Sequence, residues 1–95
     1  MSFTDAIRIF ELDHNFDRLV EMSAFPIRQM KAGKKITDFG LILLNELYGE
    51  LTKRKELHVT PFEKIKYREM AKKTGETDPA KLKMIARSIY LCEKI

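Results

Sequence analysis

The chain has 95 residues, 44% of them hydrophobic and 34% charged. That balance excludes a disordered tail and suits one globular domain, since a chain this long buries roughly two-thirds of its unfolded surface in a single core. Eighteen Lys and Arg against fourteen Asp and Glu leave a net charge of +4. The single cysteine excludes an internal disulfide, and no apolar run approaches the ~20 residues of a bilayer span.

Helical spacing accounts for most of the apolar residues. Thr4 reads as an N-cap with Asp5 in the first turn, and Ile9, Leu12, Phe16, Leu19, Val20 and Ser23 fall within about 80° of helical arc. The expectation is a helix over 5–23. Asp13-His14-Asn15 is a point where it could break, and a short strand over Ile7–Leu12 is the rival reading. Phe25 precedes a proline and is expected to be extended, so that Pro26 opens a short second helix over 26–32 closed by Gly33.

Thr37 caps the next predicted helix, 38–55. Its Leu41, Leu43, Leu44, Leu47, Tyr48 and Leu51 spread over about 160° of arc, the width of a central helix touching several neighbours. Gly40 lies on that buried arc, where a missing side chain lets another helix approach closely. Thr60-Pro61-Phe62-Glu63 carries a capping box with proline at the first helical position and opens a helix over 61–74 ended by Gly75. Thr77 or Asp78 then caps the last helix, 79–94, with Leu82, Ile85, Ala86, Ile89 and Cys92 as its core stripe. The predicted fold is therefore all-α, one compact bundle of about five helices spanning residues 1–95 as a single domain.

The charge is unevenly placed. Residues 1–50 carry six basic and eight acidic side chains, and residues 51–95 carry twelve and six. In the fourth predicted helix Lys64, Arg68 and Lys72 recur every fourth residue along one face. In the fifth, Lys83, Arg87 and Lys94 form another line with Tyr90 beside it, and Lys31, Lys34 and Lys35 make a smaller patch. Cations at one-turn intervals can each meet a phosphate, and an adjacent tyrosine can stack on a base or sugar. The alternative for every one of these positions is an ordinary solvated helix face.

Met70-Ala71-Lys72-Lys73-Thr74-Gly75 resembles the first helix and turn of a helix-turn-helix, in which a small residue precedes the turn glycine by four. The likeness ends there. Glu76 stands where an apolar residue belongs, Leu82 is one step out of phase with the apolar position at Lys81, and Pro79 sits at the head of the reading helix. A plain capped corner between two helices is the better reading.

Catalytic and metal-binding patterns are missing from the sequence. His14 and His58 are far apart with no cysteine beside either, whereas metal sites need clustered ligands at turn or helix spacing. Cys92 on a core stripe is expected to be an inert buried thiol. Ala32-Gly33-Lys34-Lys35 lacks the first glycine and the hydroxyl residue of a phosphate loop. We therefore expect no enzyme, no cofactor, no metal and no small-molecule substrate.

Two functional expectations remain. The first is a small nucleic-acid-binding module, for DNA or RNA, that holds the phosphate backbone through Lys64, Arg68, Lys72, Lys83 and Arg87, with Tyr90 and the Lys31, Lys34 and Lys35 patch in support. Lysines outnumber arginines twelve to six, and phosphate contacts carry no sequence information, so little base specificity is expected. The second is a helical adaptor or inhibitor that docks on a larger protein or on its own copy, using Met84, Leu91, Ile7, Phe10 and Met22 as surplus apolar surface. Residues 1–5 show neither the basic start nor the apolar stretch of a secretory signal, and with one cysteine a cytoplasmic location is expected.

Overall fold

A computed structural model describes residues 16–95. Four helices follow in order: α1 (Phe16–Lys31), α2 (Asp38–Lys53), α3 (Pro61–Lys72) and α4 (Pro79–Lys94). The fold is an all-α single-domain bundle, and the described residues contain no strand. The start of the first predicted helix and the rival strand, with Ile7 and Phe10, lie outside the described residues.

Pro26 does not begin a helix. It lies inside α1 and is buried there, so the predicted helices 5–23 and 26–32 join, within the described residues, into one element. An interior proline removes a hydrogen bond to the carbonyl four residues back and typically costs ~3 kcal/mol. Tertiary packing supplies the compensation: a Cβ built on Gly40 of α2 would meet the Pro26 Cβ at 3.2 Å. The glycine is the notch that receives the proline ring, and the close approach expected at Gly40 is real.

Local chemistry sets the helix ends. Gly33 takes φ 75°, its N–H bonding to the Met30 carbonyl (3.0 Å) and the Lys34 N–H reaching back to Gln29 (2.9 Å), so α1 closes with its last carbonyls satisfied. At the end of α2 the same pair of bonds recurs, Lys55 to Thr52 (3.0 Å) and Glu56 to Leu51 (2.9 Å). There the left-handed position at φ 61° is filled by Lys55 rather than glycine. The Thr37 hydroxyl accepts from the Gly40 N–H at 3.1 Å. The Thr60 hydroxyl accepts from the Glu63 N–H at 3.1 Å, while the Glu63 carboxylate accepts from the Thr60 N–H at 3.2 Å, completing the predicted capping box. Asp78, not Thr77, caps α4, accepting from the Ala80 N–H at 3.2 Å.

The core has two parts. Leu19, Leu43, Leu44, Leu47, Leu91 and Cys92 form an aliphatic cluster shared by α1, α2 and α4. Leu44 and Leu91 are fully enclosed, and truncating either to alanine would cost about 2–5 kcal/mol. Tyr48, Tyr67 and Tyr90 form the second cluster, with Tyr90 meeting Tyr67 edge to face at 5.2 Å and Tyr48 at 6.1 Å. Such perpendicular rings place the positive edge of one against the negative face of another. The Asn45 side-chain amide in α2 donates to the carbonyls of Leu41 in its own helix and Met84 in α4, both at 2.9 Å. This bond fixes the height of α4 against α2.

The second apolar strip expected on the last helix is explained by its central position. Helix α4 packs on α1, α2 and α3, so Leu91 faces the core rather than a partner, and Met84 is half-buried. Met22 in α1 is likewise half-buried, packed against the aliphatic cluster. Of the interface residues expected here, Leu91 is corrected, since it is enclosed, whereas Met84 and Met22 each keep part of their surface open. Val20, placed by periodicity on the buried stripe of α1, is instead 44% exposed.

Candidate nucleic-acid interface

Helices α3 and α4 return on each other through the six residues 73–78, bringing the start of α3 beside the end of α4. The Lys94 ammonium lies 3.2 Å from the Glu63 carboxylate, and one turn on, the Tyr67 hydroxyl donates to Glu93. Along this hairpin runs a groove of about 620 Å³. Its walls carry Lys64 and Arg68 from α3 and Lys83 and Arg87 from α4, with Val59, Pro79, Ala80, Ala86 and the tyrosine cluster completing the lining.

Four of the cations read from sequence as two separate stripes thus face one depression. Each pair is spaced by four residues, one turn of helix, so the two walls present cations at matching intervals. Among the described residues Lys64, Arg68 and Lys83 form no ion pair. Arg87 is half-buried, its guanidinium 5.1 Å from the centre of the Tyr48 ring, an arrangement in which the ring face attracts the cation.

Among the described residues Glu63 is the one carboxylate in the lining, and it is already engaged. Its hydrogen bond from the Thr60 backbone, and then the Lys94 ammonium, hold its carboxyl below the usual range. The same contact raises Lys94 above the ordinary lysine value. Among the described residues the groove therefore keeps four cations, while the negative charge of Glu63 is countered by Lys94 from outside the lining.

The remaining predicted site residues are placed differently. Lys72 pairs with Glu69 at 3.0 Å on the exposed side of α3 and is not part of the lining. Lys94 is committed to Glu63. Lys31 donates to the Ile95 carbonyl oxygen at 2.9 Å, and Lys34 and Lys35 are exposed in the link after α1 without lining the groove. Tyr90 is corrected as a stacking residue. It is 3% exposed, its ring sits between two other tyrosines, and its hydroxyl donates to the His58 carbonyl at 2.9 Å. Burial raises its phenol above the ordinary value. It supports the floor of the groove and offers no free face to a base.

Sequence reasoning missed two features. Phe62 and Ile65, one turn apart on α3, are 74% and 65% exposed. The second is the role of Tyr48 beneath Arg87, a contact between residues far apart in sequence that no local pattern reveals.

Among the described residues no group of three or more His, Cys, Asp or Glu could hold a metal. Cys92 is buried, and burial pushes its thiol up, leaving it protonated and a poor nucleophile. The described region that resembles a helix-turn-helix is a hairpin corner. Ala71 is fully enclosed and Gly75 takes φ 89°, as that motif's turn requires, but Lys81 is bound to Asp38 of α2 at 3.2 Å. None of the described helices is long and apolar enough to cross a membrane. No family model, curated protein or solved structure matches the chain.

Proposed function

We propose that this protein is a small non-enzymatic nucleic-acid-binding module that holds the phosphate backbone with Lys64, Arg68, Lys83 and Arg87. The observation that carries the reading is the convergence of these four cations, from two helices, on one groove whose only carboxylate among the described residues is occupied by Lys94. Lysine and arginine without a matched acidic partner are the side chains that replace the counterions of a polyanion. Phosphate contacts carry no sequence information, so little base specificity is expected.

Fluorescence-anisotropy titrations of labelled DNA and RNA at two salt concentrations test this. Four phosphate contacts give a log–log salt slope of roughly −3 to −4 on duplex DNA. Substituting Lys64→Glu together with Arg68→Glu should abolish binding while leaving the helical circular-dichroism signal intact, because both side chains are exposed. Absence of binding at low salt would refute the reading.

A second reading, docking on a protein or on a second copy, is favoured by one observation: the exposed pair Phe62 and Ile65. It predicts association that survives moderate salt and is lost on Phe62→Ser with Ile65→Ser, with the charge-reversal pair without effect.

A further inference from the structure

We infer that the groove receives an unstacked nucleotide of a single strand, not the surface of a duplex; this rests on the nucleic-acid reading above and adds the form of the ligand. The first argument is shape. A side chain that reads a duplex from its ~12 Å major groove stands on the outer face of a helix. The four cations flank a depression between two helices, so a phosphate pair bound to Lys64 and Arg68 on one side and Lys83 and Arg87 on the other places what lies between them inside the domain's own groove.

The second argument is the chemistry of the interior. Besides the cations and the engaged Glu63, the lining carries Val59, Pro79, Ala80 and Ala86 over buried tyrosines, and these small apolar side chains do nothing for a phosphate but can pack against the face of a base. A duplex keeps its base faces stacked and hidden, whereas a single strand can turn one outward. A groove of about 620 Å³ has room for about one or two nucleotides.

The third argument is Arg87. Its guanidinium is held against the Tyr48 ring at the edge of this apolar interior. An arginine positioned this way can stack on a base and meet a phosphate, two roles that a lysine cannot combine.

The test uses the full chain and three fluorescein-labelled probes of equal length, about ten nucleotides: oligothymidylate, the same backbone with abasic sites, and a duplex. The expected result is that oligothymidylate binds at least about 5-fold more tightly than either the abasic strand or the duplex, the gain of stacking a base. Arg87→Lys, which keeps the charge but loses the planar guanidinium, should then reduce the ratio of thymidylate to abasic affinity. Ala80→Leu, which narrows the groove from an exposed position without altering charge, should do the same. Thermal melts of both variants report whether they fold, and the ratio between probes is read only within one folded variant.

Equal affinity for the thymidylate and abasic strands, or tighter binding of the duplex, overturns this inference while leaving the phosphate-binding reading intact. Failure of all three probes to bind at low salt overturns both. An oligoribouridylate arm separates RNA from DNA, since either carries the proposed backbone and base.

Discussion

Gly40 and Pro26 interlock across α1 and α2, the proline ring occupying the space where any other residue at position 40 would carry its Cβ, 3.2 Å from the Pro26 Cβ. This explains how a proline survives inside α1. It also separates two glycines of the same helix that composition treats alike. Gly49 has nothing within 4 Å of a built Cβ.

Alanine at these two glycines is accordingly expected to act in opposite directions. Gly49→Ala should stabilise by about 0.5–1 kcal/mol through helix propensity, raising Tm by a few degrees. Gly40→Ala gains less propensity in the first turn and must displace a rigid ring. It should destabilise by about 1 kcal/mol, in the lower range of overpacking costs. Thermal melts of the two variants side by side check this, and a rise in Tm for both would show that the α1–α2 contact is slack.

Lys55 closes α2 in a left-handed conformation, φ 61°, which costs a residue with a Cβ roughly 1–2 kcal/mol that glycine avoids. Lys55→Gly should therefore stabilise the domain by about 1 kcal/mol in denaturant unfolding, part of the gain being offset by the greater freedom of glycine in the unfolded chain. The side chain is exposed, so no packing is lost.

Arg68 and Lys72 stand one turn apart on α3, yet only Arg68 lines the groove. Arg68→Glu should lower affinity for labelled nucleic acid about 10-fold or more and flatten the salt slope by about one unit or more. Lys72→Glu, the same change in net charge, should move affinity no more than about 2–3-fold through the general field. Equal losses in anisotropy titrations would mean that net charge, not the groove, governs binding.

Tyr67 has its phenol pushed up to about 12, first by its hydrogen bond to Glu93 and then by burial. An acid whose folded value lies above its unfolded value of ~10 favours the fold in its neutral form. That stability is complete below about pH 10 and is lost as pH rises from there through 12. Denaturation midpoints measured from neutral to alkaline pH should fall across this window. Tyr67→Phe, which cannot ionise, should weaken the fall, leaving the smaller contribution of Tyr90.

Features fixed by neighbouring residues were legible in the sequence. The Thr60–Glu63 capping box, the Gly33 terminus and the wide apolar arc of α2 each depend on a few adjacent side chains, and each stands as read. Pro26 was misread because the rule for an interior proline concerns the helix alone, whereas the compensating notch lies fourteen residues on, at Gly40. The groove was half legible: periodicity located Lys64, Arg68, Lys83 and Arg87 on two helices, but only the return of the chain at residues 73–78 places them around one depression. Tyr90 was placed beside the basic line, as its position implies, but its ring turns inward to Tyr48 and Tyr67, partners more than twenty residues away.

Cys92, the only thiol of the chain, is enclosed among the leucines shared by three helices. Only 7% of it is exposed, so a thiol reagent reaches it slowly while those helices remain together, and the raised thiol pKa slows attack further. Its rate of modification thus counts how often α4 parts from its neighbours, which makes the native sequence its own gauge of breathing.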